Sequence, residues 1–230
     1  MTLEPILALF DCDGTLVDSQ HMIVAAMGTA YARQGLPAPD RLRMLSIVGL
    51  SLREAFTDLA EGDAAFPVEE MVEAYRSAFM ELRDREPPEP MYPFARDTLD
   101  GLRQRDDMLL GMVTGKARRG VTRVLAANAM DGWFSTIQTA DDAPSKPHPA
   151  MVQQAMAEMG QPSARTVVIG DTGFDMAMAK AAGAHAIGVA WGYHPLEQLT
   201  AAGADVIVRD FREIPDAIAA LVGGRAPAVA

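Results

Sequence analysis

Asp11 and Asp13 stand one residue apart at the end of an apolar run, Leu7-Ala8-Leu9-Phe10, and Gly14-Thr15 follows at once. The run is long enough for a buried strand and too short for a helix. Side chains alternate along an extended chain, so both carboxylates point away from the side taken by Cys12. Gly14 lets the backbone turn off sharply. Two carboxylates held this close repel unless they share a proton or a cation lies between them. Paired acids of this kind can attack an electrophile, pass a proton and hold a metal. An isolated Asp-Gly is usually a solvated corner; the apolar run before it and the apolar residue after Thr15 argue against that here.

Four more residues close or follow later apolar segments: Thr114, Lys146, Asp171 and Asp175. Each has an ordinary explanation on its own. Thr114 could cap the next helix, Lys146 could be a solvated loop residue, Asp171 could cap the helix near Gly173, and Asp175 could be a helix-surface charge. All four in this order, each at or just past the end of a predicted strand or in a loop opening a helix, would require several independent coincidences.

The elements that must position them follow from periodicity. Residues 108–113, 134–139, 166–169, 185–190 and 205–208 read as strands. They alternate with helices over 95–105, 118–128, 149–159, 174–182, 195–202 and 214–221. Alternation of this kind predicts an α/β fold with a parallel sheet covered on both faces and right-handed crossovers. Ligands in such sheets bind beyond the carboxyl ends of the strands, where these residues fall.

Between residues 18 and 85 no strand is predicted. Met22, Ile23, Ala26, Met27, Ala30 and Tyr31 recur at helical spacing behind a cap at Asp18 or Ser19, and Gly35-Leu36-Pro37 ends that helix. Ser51 and Glu54 have the spacing of a capping box. Pro67 with Glu69 and Glu70 opens a further helix. The proline-rich stretch Glu86-Pro87-Pro88-Glu89-Pro90 then forms a stiff connector. The predicted organisation is an α/β core made of residues 1–15 and 91–230, an all-helical insert over 16–90, and a flexible tail at 223–230.

The charge of −11 and isoelectric point near 4.7 argue against nucleic acid or an anionic membrane as partner, since both reward clustered Lys and Arg. A small anionic ligand stays compatible, because a few cations can invert the local potential. The single cysteine, Cys12, precludes an intrachain disulfide. With no leader-like segment or membrane-length apolar run visible, a cytoplasmic location is expected.

The stretches Asp11-Cys12-Asp13-Gly14-Thr15, Val113-Thr114-Gly115, Ser145-Lys146-Pro147 and Gly170-Asp171-Thr172-Gly173-Phe174-Asp175 together resemble the four motifs of the haloacid dehalogenase-like hydrolase superfamily. Leu16-Val17-Asp18-Ser19 looks like its phosphoglycolate phosphatase-like branch. Gly115 departs from the Asn often found there. The resemblance implies a Rossmann-like core with a C1-type helical cap, and a phosphatase that acts on a small phosphorylated metabolite. In that reading Asp11 is the nucleophile and Asp13 the general acid and base. Mg²⁺ is held by Asp11, the Asp13 carbonyl and Asp171. Thr114 and Lys146 contact the transferring phosphate, and Asp175 orients Lys146 or metal waters. Gly115 and Lys116, at the same loop, are expected to bind the substrate, Lys116 by touching its phosphate, and Arg53 in the insert could pair with a substrate carboxylate. His21 reads as an ordinary helix residue and Trp191-Gly192-Tyr193 as a loop anchor.

The only lysines are Lys116, Lys146 and Lys180. All lie outside the insert, which disfavours phosphonatase and β-phosphoglucomutase readings that need a cap lysine. Asp13 disfavours a dehalogenase. Pyrophosphatase, nucleotidase and sugar phosphatase stay open, as do monomer and homodimer. A catalytically idle member that binds a phospholigand or protein is the non-enzyme alternative, against which the complete motif set argues.

Overall fold

The computed structural model describes residues 5–223. Six strands, β1 (Ile6–Phe10), β2 (Met108–Thr114), β3 (Thr136–Thr139), β4 (Thr166–Gly170), β5 (His185–Val189) and β6 (Val206–Val208), form one sheet in the order β3-β2-β1-β4-β5-β6. All five pairings are parallel. The order reverses between β1 and β4, which makes their carboxyl ends the topological switch point.

β1 is buried along its whole length. Ile6, Ala8, Phe10 and Cys12 enter one apolar cluster with α5 (Ala95–Arg103), α6 (Arg118–Ala127) and α10 (Ile214–Val222). Leu7 and Leu9 enter another with α7 (Ala150–Met159), α8 (Gly173–Ala181) and α9 (Leu196–Ala201). This two-sided burial explains why the strand reads as a continuous apolar run rather than an alternating one. Cys12 lies in the core, as alternation predicts. The strand predicted at 134–139 begins only at Thr136; Ser135 already donates to the Leu110 carbonyl as the chain enters the sheet.

Between β1 and α5 lie four helices: α1 (Gln20–Arg33), α2 (Arg41–Leu45), α3 (Leu52–Leu59) and α4 (Val68–Arg83). They enclose a separate apolar cluster in which Met27, Tyr31, Phe56, Met71 and Tyr75 are buried. The Phe56 ring stands edge-on to Tyr75 at 6.1 Å between centroids. The chain passes into and out of this insert along two antiparallel segments. They pair at Val17 and Met91, with Asp18 N–H donating to the Pro90 carbonyl and Tyr92 N–H to that of Leu16. Among the described residues no helix is long and apolar enough to cross a membrane. The tail expected at 223–230 lies outside the described residues except for Gly223, which follows α10.

Two predicted caps differ from expectation. Ser19 and Ser51 occupy the N-cap positions of α1 and α3, but neither side chain caps its helix. The Ser19 hydroxyl donates to Asp13 instead, and Ser51 N–H donates to Ser145 Oγ at 2.8 Å, so both serines serve the seam between insert and sheet. Phe56→Ala should cost about 3–5 kcal/mol, seen as a lower urea midpoint when unfolding is followed by far-UV circular dichroism.

Candidate active site

The carboxyl ends of β1 and β4 carry the acids. Asp11 and Asp171 are both buried, as are Thr114 at the end of β2, Lys146 before α7, and Asp175 in the first turn of α8. Lys146 Nζ lies 2.8 Å from Asp11 Oδ2 and 2.6 Å from Asp175 Oδ1. One ammonium thus ties the loop after β3 to the end of β1 and to the first turn of α8. Lys146 is not a solvated loop lysine, and Asp175 is not a surface charge.

Asp175 is fixed by a capping box, which also shows that Thr172 rather than Asp171 caps α8. Thr172 Oγ1 donates to Asp175 Oδ2 at 2.6 Å, Thr172 N–H donates to the same oxygen at 3.1 Å, and Asp175 N–H returns a bond to Thr172 Oγ1. With Oδ2 taken by the cap and Oδ1 by the lysine, the Asp175 carboxylate is fully committed. Asp171 is therefore free to face the switch point. It accepts from Thr15 Oγ1 and from Tyr193 N–H, both at 2.9 Å. Gly14 and Gly192 make room for it: a Cβ on either would sit within 2.2 Å of an Asp171 side-chain atom.

Electrostatics at the site are unbalanced. Burial, and then the charge of Asp175, push the Asp11 carboxyl up to about 6 in spite of Lys146 and the Thr114 hydroxyl. Burial and the charges of Asp175 and Asp11 push Asp171 well up as well. Burial pulls the Lys146 ammonium down, but Asp11 and Asp175 outweigh it and hold the group charged. Three buried carboxylates with ligand oxygens within 4.8 Å of one another, served by one lysine, leave negative charge that a hard divalent cation with oxygen preference would offset. The commitments of Asp175 leave Asp11 and Asp171 as the side chains that could hold such an ion.

Asp13 is less buried and faces the insert. Its Oδ1 accepts from Lys116 Nζ at 2.7 Å and from the Ser19 hydroxyl. Lys116 Nζ also lies 3.8 Å from Glu89, a buried carboxylate of the proline-rich connector, and 5.5 Å from the centre of the Phe79 ring. Thr114 Oγ1 accepts from Lys116 N–H at 3.2 Å. A cavity of about 480 Å³ opens above Asp11, Asp13 and Thr114 and runs between sheet and insert, past Leu50, Phe79, Lys116 and Arg123.

Gly115 lies at the floor of that seam. A Cβ there would come within 2.4 Å of the Gly49 carbonyl oxygen and 2.8 Å of that of Leu50, so insert and sheet meet backbone to backbone. A larger side chain in place of Gly115 does not fit this arrangement. Arg53 lines the cavity mouth, but its side chain is 69% exposed and ion-paired with Glu69 of α4. Residues 49 and 57, one turn either side of Arg53, are Gly and Thr, so its acidic partner comes from α4. His21 is exposed. The loop 191–193 is an anchor: Trp191 Nε1 donates to the Thr15 carbonyl, and Tyr193 links Asp171, through its N–H, to Ser19, whose N–H it accepts at its hydroxyl.

Ser19, Glu89, Thr172 and Tyr193 were missed as site residues by sequence reasoning. The Thr-x-x-Asp spacing of Thr172 and Asp175 was a readable capping signal. Ser19 reads as a helix cap and as part of the Leu16-Val17-Asp18-Ser19 stretch, neither of which points to Asp13, and nothing in the sequence brings Glu89 or Tyr193 near Asp13.

A parallel sheet with this strand order, acids at its switch point and a helical insert after the first strand defines the fold of haloacid dehalogenase-like hydrolases. Residues 8–189 match the family described as haloacid dehalogenase-like hydrolase, and the chain belongs to it. It is 36% identical over 222 residues to "Probable phosphatase IndB" of Dickeya dadantii (strain 3937), covering 94% of each chain. It is 30% identical over 207 residues to "Pyrophosphatase PpaX" of Oceanobacillus iheyensis, covering 90% of this chain and 93% of the other. Among solved structures it is similar to the haloacid dehalogenase-like family hydrolase SP0104 of Streptococcus pneumoniae, with 26% identity, a TM-score of 0.80, and coverage of 94% and 99%. The chain is thus a hydrolase of a family in which its relatives carry phosphatase names.

With Asp11 raised to about 6 and Asp171 raised too, the folded state binds more protons than the unfolded chain from about pH 4 upward. In the presence of a chelator, that contribution to stability should be lost as pH rises through about 6, read as a lower melting temperature at pH 7 than at pH 5. Asp171→Asn should flatten the slope.

Proposed function

We propose that the chain is a Mg²⁺-dependent phosphomonoesterase that works through an aspartyl-phosphate on Asp11, in the manner of phosphoglycolate phosphatases. The observation that carries this reading is Lys146, buried between Asp11 and Asp175 beside an acid cluster with surplus negative charge. A binding module would gain nothing from such a costly arrangement of buried charge. The division of the chain into a core (residues 1–15 and 91–230) and a cap (16–90) that covers the site is part of the same proposal. It is supported by the separate apolar cluster of the insert.

Asp11 attacks the phosphorus with one carboxylate oxygen; an O–P bond forms as the bond to the leaving oxygen breaks. Lys146 keeps the attacking carboxylate oriented and offsets charge on the phosphoryl oxygens, as the Thr114 hydroxyl does by hydrogen bonding. Asp13 delivers a proton to the leaving oxygen, then takes one from the water that hydrolyses the aspartyl-phosphate. Asp11, Asp171 and the Asp13 carbonyl would hold Mg²⁺, which supplies charge neutralisation to the transferring group. Closure by the insert excludes bulk water. A small phosphorylated metabolite is the substrate partner.

Asp11→Asn keeps size and shape but removes the nucleophile. It should lower turnover of an aryl phosphate by ~10³-fold or more while the circular dichroism spectrum is unchanged. Retained turnover in that variant would remove Asp11 from the role. Wild-type turnover should require Mg²⁺ and stop with chelator.

A further inference from the structure

His194, in the loop after β5, has partners at both ring nitrogens. Nδ1 lies 3.1 Å from the backbone nitrogen of Gly173, the first residue of α8. Nε2 lies 3.0 Å from the carbonyl oxygen of Ser46, the residue that closes α2 in the insert. A backbone N–H only donates and a carbonyl oxygen only accepts. The two partners therefore fix one form of the ring, neutral, with its proton on Nε2. Burial favours the same form: it pulls the imidazole below its usual value, against the Ser46 bond and the charge of Asp175. Both partners are groups that a helix end leaves unpaired, the N–H at the start of α8 and the carbonyl at the end of α2. One belongs to the sheet layer and the other to the insert.

What the ring joins bears on the site. Ser46 opens a segment, residues 46–51, that lies across the supports of the acids. A Cβ on Gly49 would come 3.2 Å from Thr172 Oγ1 and 3.6 Å from the Phe174 ring, and Thr172 is the residue that caps Asp175. At the far end of the segment, Ser51 N–H donates to Ser145 Oγ, next to Lys146. The segment thus rests beside both members of the Lys146–Asp175 pair, with His194 at its entry and Ser145 at its exit. Gly49, Leu50 and Ser51 also line the cavity over Asp11 and Asp13, whereas His194 does not. The edge-on Phe174 ring, 5.3 Å from the imidazole between centroids, packs against its side.

We propose that His194 is a positioning residue for the insert: its neutral ring, bridging Gly173 N–H and the Ser46 carbonyl, docks residues 46–51 over the carboxyl ends of the strands and so fixes the arrangement of the cavity that binds substrate. His194 touches neither substrate nor reacting atoms. Its loss leaves the chemical groups in place but makes the docked arrangement less populated, which weakens apparent substrate binding in proportion. The kinetic part of the test below rests on the phosphatase reading; the docking itself does not.

Hydrogen exchange of the full chain, read by mass spectrometry, tests the docking. In His194→Ala the peptide covering residues 46–51, with the Ser51 N–H that reaches Ser145, should exchange ~5-fold faster or more, while peptides from β1 and β4 match wild type. Unchanged exchange at 46–51 would overturn the proposal. So would faster exchange throughout the chain, which would make His194 a general stabiliser. His194→Asn, which keeps an acceptor for Gly173 but does not reach Ser46, gives the same reading should the alanine variant not fold. With an aryl phosphate and Mg²⁺, His194→Ala should raise KM ~5-fold or more and leave kcat within ~2-fold; a fall in kcat at constant KM would place the residue in the chemistry and overturn the docking role. His194→Gln carries an amide donor where Nε2–H stood and should recover part of the KM loss, which His194→Asn should not. Recovery by Asn and not by Gln would assign the ring to α8 alone and count against the bridge. Failure of the phosphatase reading looks different: wild type would turn over no substrate, and exchange at 46–51 would still decide the role of His194.

Discussion

The site depends on one buried ammonium. Lys146 sits between Asp11 and Asp175 with no access to solvent, and each charge would be costly there without the others. The lysine cannot be removed without stranding two carboxylates. Neither acid can be removed without loosening the lysine. This mutual dependence holds the end of β1, the loop after β3 and the first turn of α8 at fixed distances. Asp11 is thereby held in one orientation by the fold itself, and in the proposed mechanism phosphoryl transfer draws on that positioning.

The fold supplies the positions and the charges supply the strain. β1 and β4 are adjacent and parallel, so their carboxyl ends bring Asp11 and Asp171 together at the switch point. The capping box at Thr172 ties up Asp175, which leaves Asp171 as the acid without a cation of its own. Glycines at 14 and 192 bring backbone against the Asp171 side chain. Repulsion among these carboxylates is a fixed cost of the arrangement, and a positive charge placed among them would offset it.

The sheet, its flanking helices and the six motif residues were legible because each rests on a local signal: an apolar run ended by a polar residue, or a helical period with breakers at its ends. Lys146 and Asp175 were named from motif spacing, but their burial could not be read from it. What was missed depends on contacts between distant segments. Glu89 appears in the sequence as part of a stiff proline-rich connector and proves to be buried near Lys116. Ser19 has the composition of a helix cap, but its hydroxyl goes to Asp13 rather than to the local N–H, and Ser51, also at a cap position, uses its N–H to reach Ser145 Oγ. Local propensity places a residue at a helix end; it does not decide which acceptor its hydroxyl finds.

The seam at Gly115 has a consequence for how this protein can diverge. Sheet and insert meet there through main-chain atoms, the Gly115 α-carbon against the carbonyls of Gly49 and Leu50. Main-chain geometry is independent of which side chains the insert carries. Residues lining its side of the cavity that make no contact across the seam can therefore be exchanged without disturbing this main-chain contact. Gly115 and Gly49 themselves cannot be exchanged so freely. Substrate range and docking geometry are thus separately heritable, with drift permitted in one and held back in the other.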